Sequence, residues 1–181
     1  MIHDISFAQE ALDSFLNVCN RMGFKRATNV GRRTGKSNTR NNLSKYEYIR
    51  TARFMSDMAA YESIKDLGNA IGIWKYTLVN YVLQLQKDDF LDIQDDWRRA
   101  DHGNPVGKFF SIALTTNNNI IINNKEYFVP QYSAIEFSPI DLHEIQPVHS
   151  KNTWVIFMIP QSVSVGDVIN NNNITHLNLY K

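Results

Sequence analysis

Apolar residues recur at helical spacing through much of the first half of the chain and at strand spacing through the last third. In residues 6–22, Phe7, Ala11, Phe15 and Val18 fall on one stripe with Leu12 and Cys19 beside it, and Gly23 supplies a stop. Residues 23–42 have no apolar period. Leu43, Tyr46, Ile49, Ala52 and Met55 then give a second helical stripe that ends near Tyr61. Ser63 followed by Asp66 is a short capping signal for a further helix, stopped at Gly72, and another helix is expected over about 75–86. Strand-like segments follow at 90–93 and 108–114, separated by a polar loop. Short β-like runs come after them at 120–122, 127–129, 134–137, 154–159 and 174–180, with asparagine-rich turns between several of them. Residues 154–159 are apolar at every position, which requires burial on both faces or within an interface.

The most informative stretch is SIKDLGNAIGIWKYTLVNYVLQL, residues 63–85. Ile64, Leu67 and Ile71 line one helix face. Gly68 is small where a second helix would cross, and Gly72 suits the left-handed turn between the two. Ile73 plugs the corner, and Leu78, Tyr81, Val82 and Leu85 make the inward face of the second helix. Two helices joined by a tight glycine turn describe a helix-turn-helix.

Residues 44–114 therefore resemble the winged helix-turn-helix superfamily of DNA-binding domains, with the loop 94–107 and the strand after it as the wing. The resemblance implies a recognition helix presenting Trp74, Lys75, Tyr76, Val79, Asn80 and Gln84 to the major groove, with Thr77 on a backbone phosphate. Trp74 stands where a small N-cap residue is usual, and the helix lacks arginine. Trp74, Tyr76 and Val79 would serve equally as an apolar patch in a protein-binding winged helix.

Charge sharpens this reading. Net charge is +1, yet residues 1–54 hold ten Lys and Arg against four Asp and Glu. Lys25, Arg26, Arg32, Arg33, Lys36 and Arg40 lie in a stretch without an acid, read as a basic arm for phosphates or a minor groove. GRRTGKS, residues 31–37, lacks the glycine spacing and preceding strand of a nucleotide-binding P-loop. Asp88, Asp89, Asp92, Asp95, Asp96 and Asp101 make the wing acidic, offset by Arg98, Arg99 and Lys108. A wing reading DNA would carry Arg98 and Arg99 at its tip.

The balance falls against an enzyme; were it one, a magnesium-dependent DNA endonuclease would be the reading. Residues 141–152 faintly resemble the start of an HNH nuclease motif through His143, Pro147 and Asn152, with Glu144 at the base position. His143, His149 and His176 lack diagnostic zinc spacing and read as lone surface histidines. One cysteine excludes a disulfide framework. Neither a signal peptide nor a membrane-length apolar run is evident, so a cytoplasmic protein is expected.

The sequence thus predicts an α+β chain of three parts. Residues 1–43 would form an N-terminal helix and basic arm, 44–114 a winged helix-turn-helix, and 115–181 a β-rich module for dimerisation, partner binding or catalysis. The function expected is sequence-specific binding of double-stranded DNA by a transcription or replication regulator, with a homodimer as a further expected assembly and with no cofactor, no metal and no membrane.

Overall fold

The computed structural model describes residues 1–28, 43–94, 100–101, 104–105 and 107–178. The chain opens with β1 (Ile2–Asp4) and α1 (Gln9–Met22), followed by β2 (Lys25–Thr28) and β3 (Lys45–Ile49). Next come α2 (Thr51–Met55), α3 (Met58–Ile71) and a 3-10 turn at Trp74–Tyr76. Strands dominate from there: β4 (Val79–Leu85), β5 (Leu91–Gln94), β6 (Ala100–Asp101), β7 (Asn104–Pro105), β8 (Gly107–Ala113), β9 (Asn118–Ile122), β10 (Lys125–Val129) and β11 (Ser133–Phe137). β12 (His143–Ile145), β13 (Asn152–Pro160) and the helix α4 (Val165–Asn178) complete the order.

Alternation along the strands explains how they assemble. In β13, Trp154, Ile156 and Met158 enter one core while Val155, Phe157 and Ile159 enter another. A strand whose two faces are both apolar needs a layer on each side. The larger sheet, ordered β1-β11-β8-β13-β4-β3-β2, has both layers. On one face lie the helices: Leu12, Phe15 and Cys19 recur along α1 at three and four residues and are buried against Val155, Phe157 and their neighbours. Each such large side chain contributes about 1.5–3 kcal/mol on burial. The other face packs on the smaller sheet, β10-β9-β12-β5, and every strand pair in both sheets is antiparallel. The eight strands β4, β5 and β8–β13 form a double-sheet jelly roll, with α1 and α3 backing its larger sheet.

The N-terminal helix is present as α1, and both glycine stops hold. Gly23 (φ 77°) ends α1, and Gly72 (φ 97°, left-handed) ends α3. Gly68 is small for a local reason: a Cβ there would lie 2.8 Å from the Trp74 ring, so Trp74 closes over it.

The winged helix is not formed, and the α+β layout of helices leading into it is corrected to a jelly roll backed by helices. Residues 79–85, expected within the recognition helix, are strand β4, hydrogen-bonded between β13 and β3. The apolar positions 78, 81, 82 and 85 fit a helical period, but Val79 and Leu83 complete a β-branched and apolar run that packs on both faces of a sheet. The inward face assigned to that helix is also reversed in part. Leu78 is 51% exposed and Asn80 only 6%. The stripe from Leu43 to Met55 resolves into β3 and the short α2, and the strand expected at 174–180 begins within α4.

Candidate functional site

Between the two sheets lies a cavity of about 90 Å³. Its walls come from Tyr81 and Leu83 of β4, Phe109 and Ser111 of β8, and Trp154 and Ile156 of β13, facing His143 and Ile145 of β12. Period-two alternation puts these side chains here, because each is the inward member of its strand.

His143 is 6% exposed. Its Nδ1 lies 2.8 Å from the carbonyl oxygen of Asp141. A carbonyl only accepts, so Nδ1 carries a proton in this contact. The rings of Phe137 and Phe109, with centroids 5.2 and 6.2 Å away, fix its orientation. Trp154 is 1% exposed, and its indole Nε1 finds no acceptor among the described residues. A buried donor left unpaired costs about 1–3 kcal/mol.

The residues expected to read DNA lie elsewhere, and most are tied into the fold. Trp74 packs on Gly68 and edge-on to Tyr61. Lys75 holds its Nζ 5.1 Å from the Tyr76 ring centroid, and the Thr77 hydroxyl donates to the Ile73 carbonyl. Val79 packs at the rim of the barrel core. Asn80 is buried at the same strand level as Phe157. Gln84, also buried, donates to Glu47 at 2.8 Å and accepts from the Thr153 hydroxyl at 3.0 Å. Arg26 makes a two-pronged bond to Asp89 at 2.5 and 2.6 Å, and Lys25 lies on β2, the edge strand of the larger sheet. Arg32, Arg33, Lys36, Arg40, Arg98 and Arg99 lie outside the described residues.

Sequence reading passed over His143 and Trp154 as a pair. His143 looked like a surface histidine because β12 is three residues long, too short to show a period. The legible signal was Trp154, the first residue of an apolar run that had to be buried.

Solved structures share this fold. They include a prolyl-4-hydroxylase from Pseudomonas putida, with TM-score 0.54 and 9% identity over 88% of this chain and 91% of that one. Another is the viral collagen prolyl hydroxylase of Paramecium Bursaria Chlorella virus-1, solved as a 2OG complex, with TM-score 0.52 and 12% identity over 88% and 94%. A third is an oxidoreductase of the 2OG-Fe(II) oxygenase family from Burkholderia pseudomallei, with TM-score 0.51 and 12% identity over 82% and 78%. The likeness is one of fold. No family model and no curated protein matches the chain. The winged-helix DNA regulator, its duplex DNA partner and the endonuclease and interaction-module alternatives are corrected accordingly: the fold is one that oxygenases use.

The names of those enzymes imply iron and an oxo-acid co-substrate, which the donor set here can be asked to hold. Non-haem iron oxygenases bind Fe(II) through two imidazoles and one carboxylate. Among the described residues no group of three His, Cys, Asp or Glu is placed to hold a metal. The cavity offers one imidazole, no carboxylate, and no Lys or Arg for an acid. The β5 partner of His143 is Gln94. The described residues do not fit that metal site.

Proposed function

We propose that this chain is a small-molecule-binding jelly roll of the oxygenase fold, whose barrel takes a small uncharged molecule bearing a carbonyl oxygen. One observation carries the reading: Trp154 lines the cavity, and its buried indole N–H has no acceptor among the described residues. A carbonyl oxygen would satisfy it, and the His143 imidazole and Ser111 hydroxyl supply further polar groups on an otherwise aromatic and aliphatic wall. At about 90 Å³ the space suits a molecule of few heavy atoms, or the end of a larger one. Among the described lining residues none is cationic, which favours an uncharged ligand over an acid.

The test is a thermal-shift screen of small amides, ketones and aldehydes against the wild type and Trp154→Phe. The expected result is a saturable rise in Tm for the wild type that Trp154→Phe loses. A ligand that stabilises both equally places binding outside the barrel.

A further inference from the structure

A second concavity lies on the outer face of the smaller sheet, sharing Ile145 with the lining of the barrel cavity. Its volume is about 420 Å³, within the range of ordinary ligand sites. The floor is formed by outward side chains of β9 and β10: Asn119 stands directly opposite Phe128, and Ile121 opposite Glu126. Gln146 and His149, from the loop between β12 and β13, make the wall. Asn119 donates to Glu126 at 3.2 Å, which orients both. Phe128 is 55% exposed, the one large apolar side chain of this lining that stands out into solvent.

From this arrangement we infer that the groove is a binding site for a neutral oligosaccharide. A pyranose ring has an apolar C–H face that packs on an exposed phenyl ring. Its hydroxyls donate and accept at once, which suits side-chain amides and a carboxylate set around that ring. The other occupants fit less well. Among the described residues the lining has no Lys or Arg, which phosphates and nucleic acids require. A peptide joining by strand addition pairs with the backbone along the edge of β10, whereas this lining is made of side chains on the face of β9 and β10. A helix in a groove needs a row of exposed apolar anchors, and among the described lining residues Phe128 is the one large apolar side chain that is mostly exposed.

Calorimetric titration of the full chain with cellotriose, maltotriose and chitotriose tests this. Binding of at least one is expected, unchanged in about 1 M NaCl because no ion pair is involved. Phe128→Ala should weaken it at least about tenfold, with Phe128→Trp restoring it. Exposure of Phe128 means that neither variant should alter the melting temperature. Trp154→Phe, in the barrel, should leave sugar binding intact, so this site and the barrel site fail or stand separately. Failure of all three sugars to bind overturns the inference. So does equal binding by Phe128→Ala, or displacement of the sugar by a neutral Ala-Gly-Ser peptide, which would assign the groove to peptides.

Discussion

Gln94 of β5 is the cross-strand partner of His143 of β12. The pairing is closed by a bulge: Leu91 meets Ile145, so two residues of β5 oppose the single Glu144. Directly opposed residues on antiparallel strands have Cβ atoms about 4.5–5.5 Å apart, within reach of one ion.

Gln94→His should therefore create metal affinity. With Co(II) at about 100 times its dissociation constant, stability should rise by about 2.7 kcal/mol, read as an increase in Tm together with a visible Co(II) spectrum. Wild type should show neither. A wild type that binds Co(II) as tightly as the variant would contradict this prediction.

Phe157 and Leu78 test the sheet assignment. Phe157 is fully buried under the helices, so Phe157→Ala should cost about 3–5 kcal/mol in urea unfolding. Leu78 is half exposed at the start of the strand segment, so Leu78→Ala should change stability by about 0.5 kcal/mol or less. A large loss at Leu78 would restore the helical phase that the jelly roll replaces.

Asp89 sets an acid limit on stability. Burial acts to raise its pKa, but the Arg26 guanidinium, the Gln86 amide and nearby positive charge outweigh burial and hold the carboxyl below its usual value of 3.8. A lowered folded pKa contributes stability that is present above the unfolded value and lost as pH falls through the folded one. Asp89→Asn should cost about 1–3 kcal/mol at neutral pH and flatten the fall in stability below about pH 4. Thermal melts across that window read both. An unchanged acid limb would show that the Arg26–Asp89 pair does not tie β2 to the turn after β4.

Cys19 is fully buried in α1, and burial pushes its thiol up to about 12. The thiolate is the reactive form. Iodoacetamide at pH 8 should leave the native protein unlabelled and modify it fully in denaturant. Rapid labelling of the native chain would mean that α1 does not cover the sheet.

Much of the architecture was legible wherever one structural period excluded the other. α1 showed itself through Phe15 and Cys19, and β13 through a six-residue apolar run with no polar break. The stretch from Lys75 to Leu85 misled because its apolar positions satisfy both periods, and only pairing with β13 and β3 decides between them. Arg26 and Gln84 read as free polar groups for a ligand, since sequence cannot reveal that Asp89 and Glu47 lie beside them. The barrel site escaped for a related reason. His143 and Trp154 come from different strands and meet only through the stacking of two sheets.

Ligand binding in the barrel is read most directly from the indole proton of Trp154. The protein has three tryptophans, so a nitrogen-15 spectrum should show three indole signals, with Trp154→Phe identifying the one from the barrel. Titration with the best carbonyl compound from the thermal screen should move that signal downfield and saturably while the other two stay in place. A Trp154 signal that remains fixed while the ligand binds would contradict the barrel as the binding site.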